Sequence, residues 1–233
     1  MEIKQYKNAD LYYRDKIFLL PGEIHIWCIN WTGMNIFFTE SWDLMTAQEK
    51  EQVKWYHYND DKMRCAIGKI VTRLLLSQYL QVGNSKIEIY KKKYGKPYHK
   101  QIDGKKSVQF SISHSGEMVL VAFSYFENIG VDVEMIKDLP EFKRIAKNFF
   151  TKNEAMEIEK QNTPNMFYRY WTAKEAYLKA LGVGIAQGMD SFAVINDIVT
   201  EKGEIKKDWK IFSIEINQGY AACVAVQAKA NCR

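Results

Sequence analysis

Cysteine is sparse in this 233-residue chain, and it never pairs: Cys28, Cys65, Cys223 and Cys232 form no CxxC motif. That spacing argues against a structural zinc site, and a chain this long needs no disulfide framework. The four histidines, His25, His57, His99 and His114, are equally dispersed, so there is no HExxH metalloprotease motif. Any metal must then be held by oxygen ligands, which favours magnesium over zinc. No apolar run approaches the roughly 20 residues a membrane-spanning helix needs. The opening MEIKQYKNADLYYRD lacks the apolar centre of a signal peptide, so cytoplasmic residence is expected. There is no Pro/Ser linker and no low-complexity tract.

What is present is ample core material, with 47% hydrophobic residues, and a net charge of +5. The positive charge is concentrated: twelve Lys and Arg residues lie between Glu49 and Lys100 against five acidic ones. Such a surplus suits either a solvated lysine face or an anionic partner.

EIHIWCIN (23–30) alternates like a strand. Thr46 and Glu49 form a capping box that opens a helix. Ile67, Ile70, Val71, Leu74 and Leu75 recur at helical spacing in a second helix from about Asp60. VQFSISHSGEMVLVAFS reads as strand, turn at 114–116, strand. A strand starts near Ile129, helices follow from Pro140 and from about Thr151, and three strands close the chain. This irregular mixture predicts an α+β fold rather than a doubly wound sheet. Two similar α+β halves are expected, residues 1–127 and 128–233.

Four short stretches could carry chemistry. In GVDVE (130–134), Asp132 and Glu134 fall on one face of a strand, with Val131 and Val133 on the other. Neighbouring carboxylates repel, and a cation between them relieves that; a solvated acidic edge is the alternative. In the helix around WTAKEAYLK, Phe167, Trp171, Leu178 and Leu181 make an apolar stripe with Lys174 in its middle. An ammonium there needs a partner, and a bound phosphate would be one. Glu175 and Lys179 make an i,i+4 pair. In SISHSG, Ser113 and His114 lie at a strand end. Adjacent residues rarely form a nucleophile–base pair, and GxSxG is absent. In YGKPY, Lys96 sits between Gly95 and Pro97, in a rigid turn that presents its ammonium.

Taken in order, YGKPY (94–98), FSISHSG (110–116), GVDVE (130–134), FF-x3-E (Phe149, Phe150, Glu154) and W-x2-KEAYLK (171–179) resemble the Sfp-type 4'-phosphopantetheinyl transferases. The resemblance covers residues 94 to 185, and Arg64 followed by Gly68 extends it toward the start. It implies two α+β halves related by a pseudo-twofold axis, with the active site at their junction. It also implies an enzyme that transfers the phosphopantetheine arm of coenzyme A to a serine of an apo acyl or peptidyl carrier protein, releasing 3',5'-ADP. The resemblance places magnesium on Asp132, Glu134 and Glu175, and the phosphate-binding lysine at Lys179 with Lys174 beside it. It maps Ser113 and His114 to the diphosphate, and Arg64, Lys69, Lys96 and Pro97 to the 3'-phosphoadenosine region. Glu175 is the expected general base. The basic helix Glu141–Phe150 is the expected docking surface for the carrier, with Leu139, Phe142, Ile145 and Phe149 on one face and Lys143, Arg144 and Lys147 elsewhere. Neither nucleic acid nor a membrane is expected as a partner. A magnesium-dependent nuclease and a non-catalytic coenzyme A binder are the competing classes, and 233 residues favour a self-contained monomer.

Overall fold

The computed structural model describes residues 1–126, 128–184 and 188–228. Glu127 at the expected boundary, residues 185–187 of the glycine-rich stretch and Cys232 lie outside the described residues. The chain divides into two units: Met1–Lys91 with Pro97–Tyr125, and Lys92–Lys96 with the chain from Phe126 onward.

The first unit begins with β1 (Glu2–Tyr6) and β2 (Glu23–Asn30), followed by α1 (Asn35–Ser41), α2 (Ala47–Lys54) and α3 (Asn59–Leu80). A short hairpin, β3 (Ile89–Lys91) and β4 (Pro97–His99), precedes β5 (Gln109–Ser115) and β6 (Met118–Ser124). The sheet order is β1-β2-β6-β5. Only β1 with β2 is a parallel pair. Ile67, Val71 and Leu75 of α3 are fully buried in one cluster with Trp27, Phe110 and Phe123 of the sheet. The Thr46 hydroxyl accepts from the Glu49 amide, and Glu49 accepts from the Thr46 amide and from buried Arg73 at 2.6 Å. One capping box therefore also ties α2 to α3.

β1 shows no apolar alternation, and the sequence does not announce it. A buried polar chain holds it in place. Lys4 pairs with Glu23, and Glu23 is 3.0 Å from His25 Nε2. His25 Nδ1 is 2.8 Å from the Tyr79 hydroxyl, which also accepts from Trp27 Nε1. Because the Glu23 carboxylate can only accept, His25 carries its proton on Nε2, toward Glu23, and its Nδ1 accepts from the Tyr79 hydroxyl.

The second unit holds β7 (Asn128–Met135), α4 (Phe142–Phe149), α5 (Lys152–Gln161), α6 (Pro164–Leu181), β8 (Phe192–Ile195), β9 (Ile198–Glu201), β10 (Glu204–Ile205), β11 (Trp209–Ser213) and β12 (Tyr220–Gln227). β11-β12-β7 form an antiparallel sheet with β7 at its edge, and β10-β9-β8 form a smaller one. Thr163 caps α6 through the Met166 amide, Pro164 occupies its first turn, and Gly182 ends it at φ +72°. This is the mixed helix-and-strand fold in two halves that the sequence pattern implies. α6 departs from the expected single stripe: it is buried on nearly every side from Thr172 to Leu178, as befits a central helix rather than a surface one.

Candidate active site

Strand alternation puts Gly130, Asp132 and Glu134 on one face of β7. That face meets α6. A methyl group at Gly130 would overlap the backbone carbonyl of Ala176 and the amide of Ala180. Glycine is the residue that lets helix and strand backbones touch. The contact brings α6 down beside the two acids. Lys179 donates to Asp132 Oδ1 at 2.6 Å, with the Asp132 side chain 4% exposed. Valines 131 and 133 are buried on the opposite face, but Asp132 is buried too, because both faces of β7 are covered.

Glu175, one residue before Ala176, is also buried. Burial, and then the negative charge of Asp132, raise its pKa to about 7; Lys179 opposes the shift and Glu134 adds to it. A carboxyl group balanced near neutrality between two other acids is suited to take or give a proton. Among the described residues, no three acidic, histidine or cysteine side chains stand ready to share one metal ion. The donor chemistry of Asp132, Glu134 and Glu175 nonetheless fits a hard divalent cation. Such a cation would offset the part of the shift that comes from Asp132 and Glu134.

Lys174 does not face this site. It is fully buried, and its ammonium donates to both carboxylate oxygens of Glu154 at 2.8 Å and to the Phe192 carbonyl. The Phe192 ring lies under it at 4.3 Å. Those bonds use all three of its N–H donors, leaving none for a phosphate. The expected phosphate partner of Lys174 is therefore replaced by Glu154. Glu154 also accepts from the Thr151 amide and hydroxyl and from the Val194 amide, which links α5, α6 and β8.

Lys96 is not simply displayed by its turn either. Its ammonium donates to the carbonyls of Ile129 and Ala180 at 2.9 and 2.8 Å. Burial, and then Lys92, lower its pKa to about 7.

In the first unit, Arg64 donates to the Gly116 carbonyl at 2.6 Å and pairs with Asp61. Ser113 is buried and His114 exposed, so successive side chains of β5 leave opposite faces. The turn itself falls at 116–117, later than expected, with His114 inside the strand opposite Val119. Lys69 donates to Gln52 at 2.9 Å and, with Pro97, Arg73 and Lys91, lines a cavity of about 650 Å³. A second cavity, about 440 Å³ between α5, α6 and β8, reaches none of the expected site residues.

The helix expected over Glu141–Phe150 forms as α4. Phe142, Ala146 and Phe150 pack into the core, while Arg144, Lys147 and Phe149 are exposed. Leu139 and Ile145 pack against the core as well, so Phe149 alone of the expected apolar face remains outside.

Residues 128–225 match the model of the 4'-phosphopantetheinyl transferase superfamily, and residues 29–125 match that of the 4'-phosphopantetheinyl transferase N-terminal region. The 4'-phosphopantetheinyl transferase Sfp of Bacillus subtilis (strain 168) is 30% identical over 190 residues, covering 78% of this chain and 82% of that protein. The chain belongs to the 4'-phosphopantetheinyl transferase superfamily. Two further phosphopantetheinyl transferases are similar. Gsp of Aneurinibacillus migulanus is 31% identical over 86% of this chain and 80% of its own. HetI of a Nostoc species is 26% identical over 89% of each. Among the described residues of this phosphopantetheinyl transferase, no helix is long and apolar enough to cross a membrane.

Two residues of this transferase, Glu154 and Gly130, have structural tasks that its sequence motifs do not reveal. The signal for Glu154 was its place in the capping box after Thr151. Gly130 stood in plain view ahead of the DxE pair, but only the packing of α6 explains it.

Proposed function

We propose that this transferase moves the 4'-phosphopantetheine arm of coenzyme A to a serine hydroxyl of an apo acyl or peptidyl carrier protein, with magnesium, releasing 3',5'-ADP. One observation carries the assignment of the centre: Glu175 is buried beside Asp132 and Glu134 and poised near neutral pH. These three acids are the proposed ligands of the ion, and a shared ion requires their side chains to re-aim from the positions described. When bound, magnesium neutralises the diphosphate and the charge that grows on the leaving oxygens.

The chain's own groups do the rest. The serine O–H bond breaks, and Glu175 takes the proton, directly or through a water. The serine oxygen bonds to the phosphorus next to pantetheine as that phosphorus parts from the leaving 3',5'-ADP. Lys179, 31% exposed on its side chain, is the ammonium proposed to stabilise the diphosphate. Ser113, His114, Arg64, Lys69, Lys96 and Pro97 are proposed for the diphosphate and the 3'-phosphoadenosine. The cavity bearing Lys69, Lys91 and Pro97 offers a cationic wall for that end.

The exposed side of α4, with Arg144, Lys147 and Phe149, is proposed to dock the carrier. Basic side chains around one apolar anchor suit a partner that is acidic around its serine. The presence of both family regions on one chain supports a monomer, and a cytoplasmic location is proposed with it.

Incubation with coenzyme A and a panel of apo carriers tests the reading. One phosphopantetheine arm of added mass is expected, abolished by EDTA and restored by magnesium. No mass gain on any carrier refutes transfer, and gain undiminished by EDTA refutes the metal.

A further inference from the structure

Two main-chain carbonyls of the second unit, one on a strand and one at a helix end, meet at Lys96. The Ile129 carbonyl belongs to β7, the last strand in the order β11-β12-β7. α6 ends at Leu181, so its last four carbonyls, Ala180 among them, lack intrahelical donors. Lys96 answers one of each kind, Ile129 on the strand and Ala180 on the helix.

The fit is built rather than incidental. Lys96 closes a tight turn, in which its own carbonyl accepts from Lys92 at 2.8 Å and Gly95 donates to the Lys92 carbonyl. Its stem lies against the helix cap: a methyl group at Gly182 would come within 3.3 Å of the Lys96 Cδ. The ammonium then meets the negative end of the α6 dipole. Gly130, next to Ile129 in the strand, makes the bare backbone contact with Ala180 of the helix.

We propose that Lys96 is a positioning residue, a staple that fixes the last turn of α6 to β7 and so holds Glu175 and Lys179 in register with Asp132 and Glu134. The staple stands on geometry alone; its value for turnover rests on the function proposed above. Two of its N–H donors are committed inside the protein, to the Ile129 and Ala180 carbonyls.

The test reads single-amide hydrogen exchange in the full chain without coenzyme A. The probes are the amides of Gly182 and Val183, which donate to the Leu178 and Lys179 carbonyls in the stapled turn. In Lys96→Met, their exchange is expected to accelerate at least tenfold while α3 amides keep their rates. Lys92→Met, which removes a neighbouring ammonium that makes no such bonds, is expected to leave them unchanged. Exchange of Gly182 and Val183 within twofold of the parent overturns the staple, whatever happens to the KM for coenzyme A. Acceleration spread equally over α3 overturns it too, and so does an equal effect from Lys92→Met. Failure of the proposed function shows separately, as absence of transfer by the unmodified chain.

Discussion

The buried pair of Lys174 and Glu154 gives the sharpest test of the distinction between scaffold and site. Lys174→Met keeps the length of the side chain and removes its charge. Glu154 then remains fully buried without its cation, still accepting from the Thr151 amide and hydroxyl and the Val194 amide. Breaking one partner of a buried pair costs about 3–5 kcal/mol, and the three surviving donors place this variant at the lower end. Glu154→Gln keeps the capping geometry but strands an ammonium whose full-strength acceptor is then only the Phe192 carbonyl. It should cost more than Lys174→Met. The double variant removes both charges and should be no worse than either single one, a coupling of about 3 kcal/mol. Urea unfolding measures each free energy. For a chain of this size, 3 kcal/mol corresponds to about 6–12 °C in melting temperature. A Lys174→Met protein destabilised by less than about 1 kcal/mol, or strictly additive losses, refutes the buried-pair account and returns Lys174 to the ligand.

Three further outcomes are expected. Glu175→Gln should fold normally and lose at least about 100-fold in turnover at saturating magnesium and coenzyme A; near-normal turnover removes Glu175 as the base. Lys96 should leave a signature in stability against pH. Its pKa is about 7 when folded and 10.5 otherwise, so across that window the unfolded chain binds more protons and stability rises with pH. The slope is at most ~1.4 kcal/mol per pH unit. Below pH 7 it vanishes, and urea unfolding of Lys96→Met should lack it; an identical slope in that variant contradicts the assignment. Charge reversal at Lys143 and Lys147 should raise the KM for the carrier and leave that for coenzyme A alone, whereas equal effects on both exclude α4 as the docking face.

Local signals in the sequence read through to the structure. The capping box of Thr46 with Glu49 forms, because a cap is settled within four residues. The DxE pair lies on one strand face for the same reason. What the sequence withheld was non-local. Lys174 is visible as an anomaly on an apolar stripe, but its partner lies 20 residues upstream on another helix. The turn around Lys96 is evident, yet the direction of its side chain depends on where α6 ends. β1 has no periodicity of its own, and its strand character comes from pairing with β2 and from the buried chain through His25.

At Gly130 the layer between sheet and helix has no thickness beyond the two backbones. Elsewhere in a protein, side chains act as cushions that absorb small displacements by hopping between rotamers; here there is nothing to hop. A pull on Lys179 from any ligand is therefore transmitted to the strand as a shift of main chain, and β7 and α6 must travel together or part.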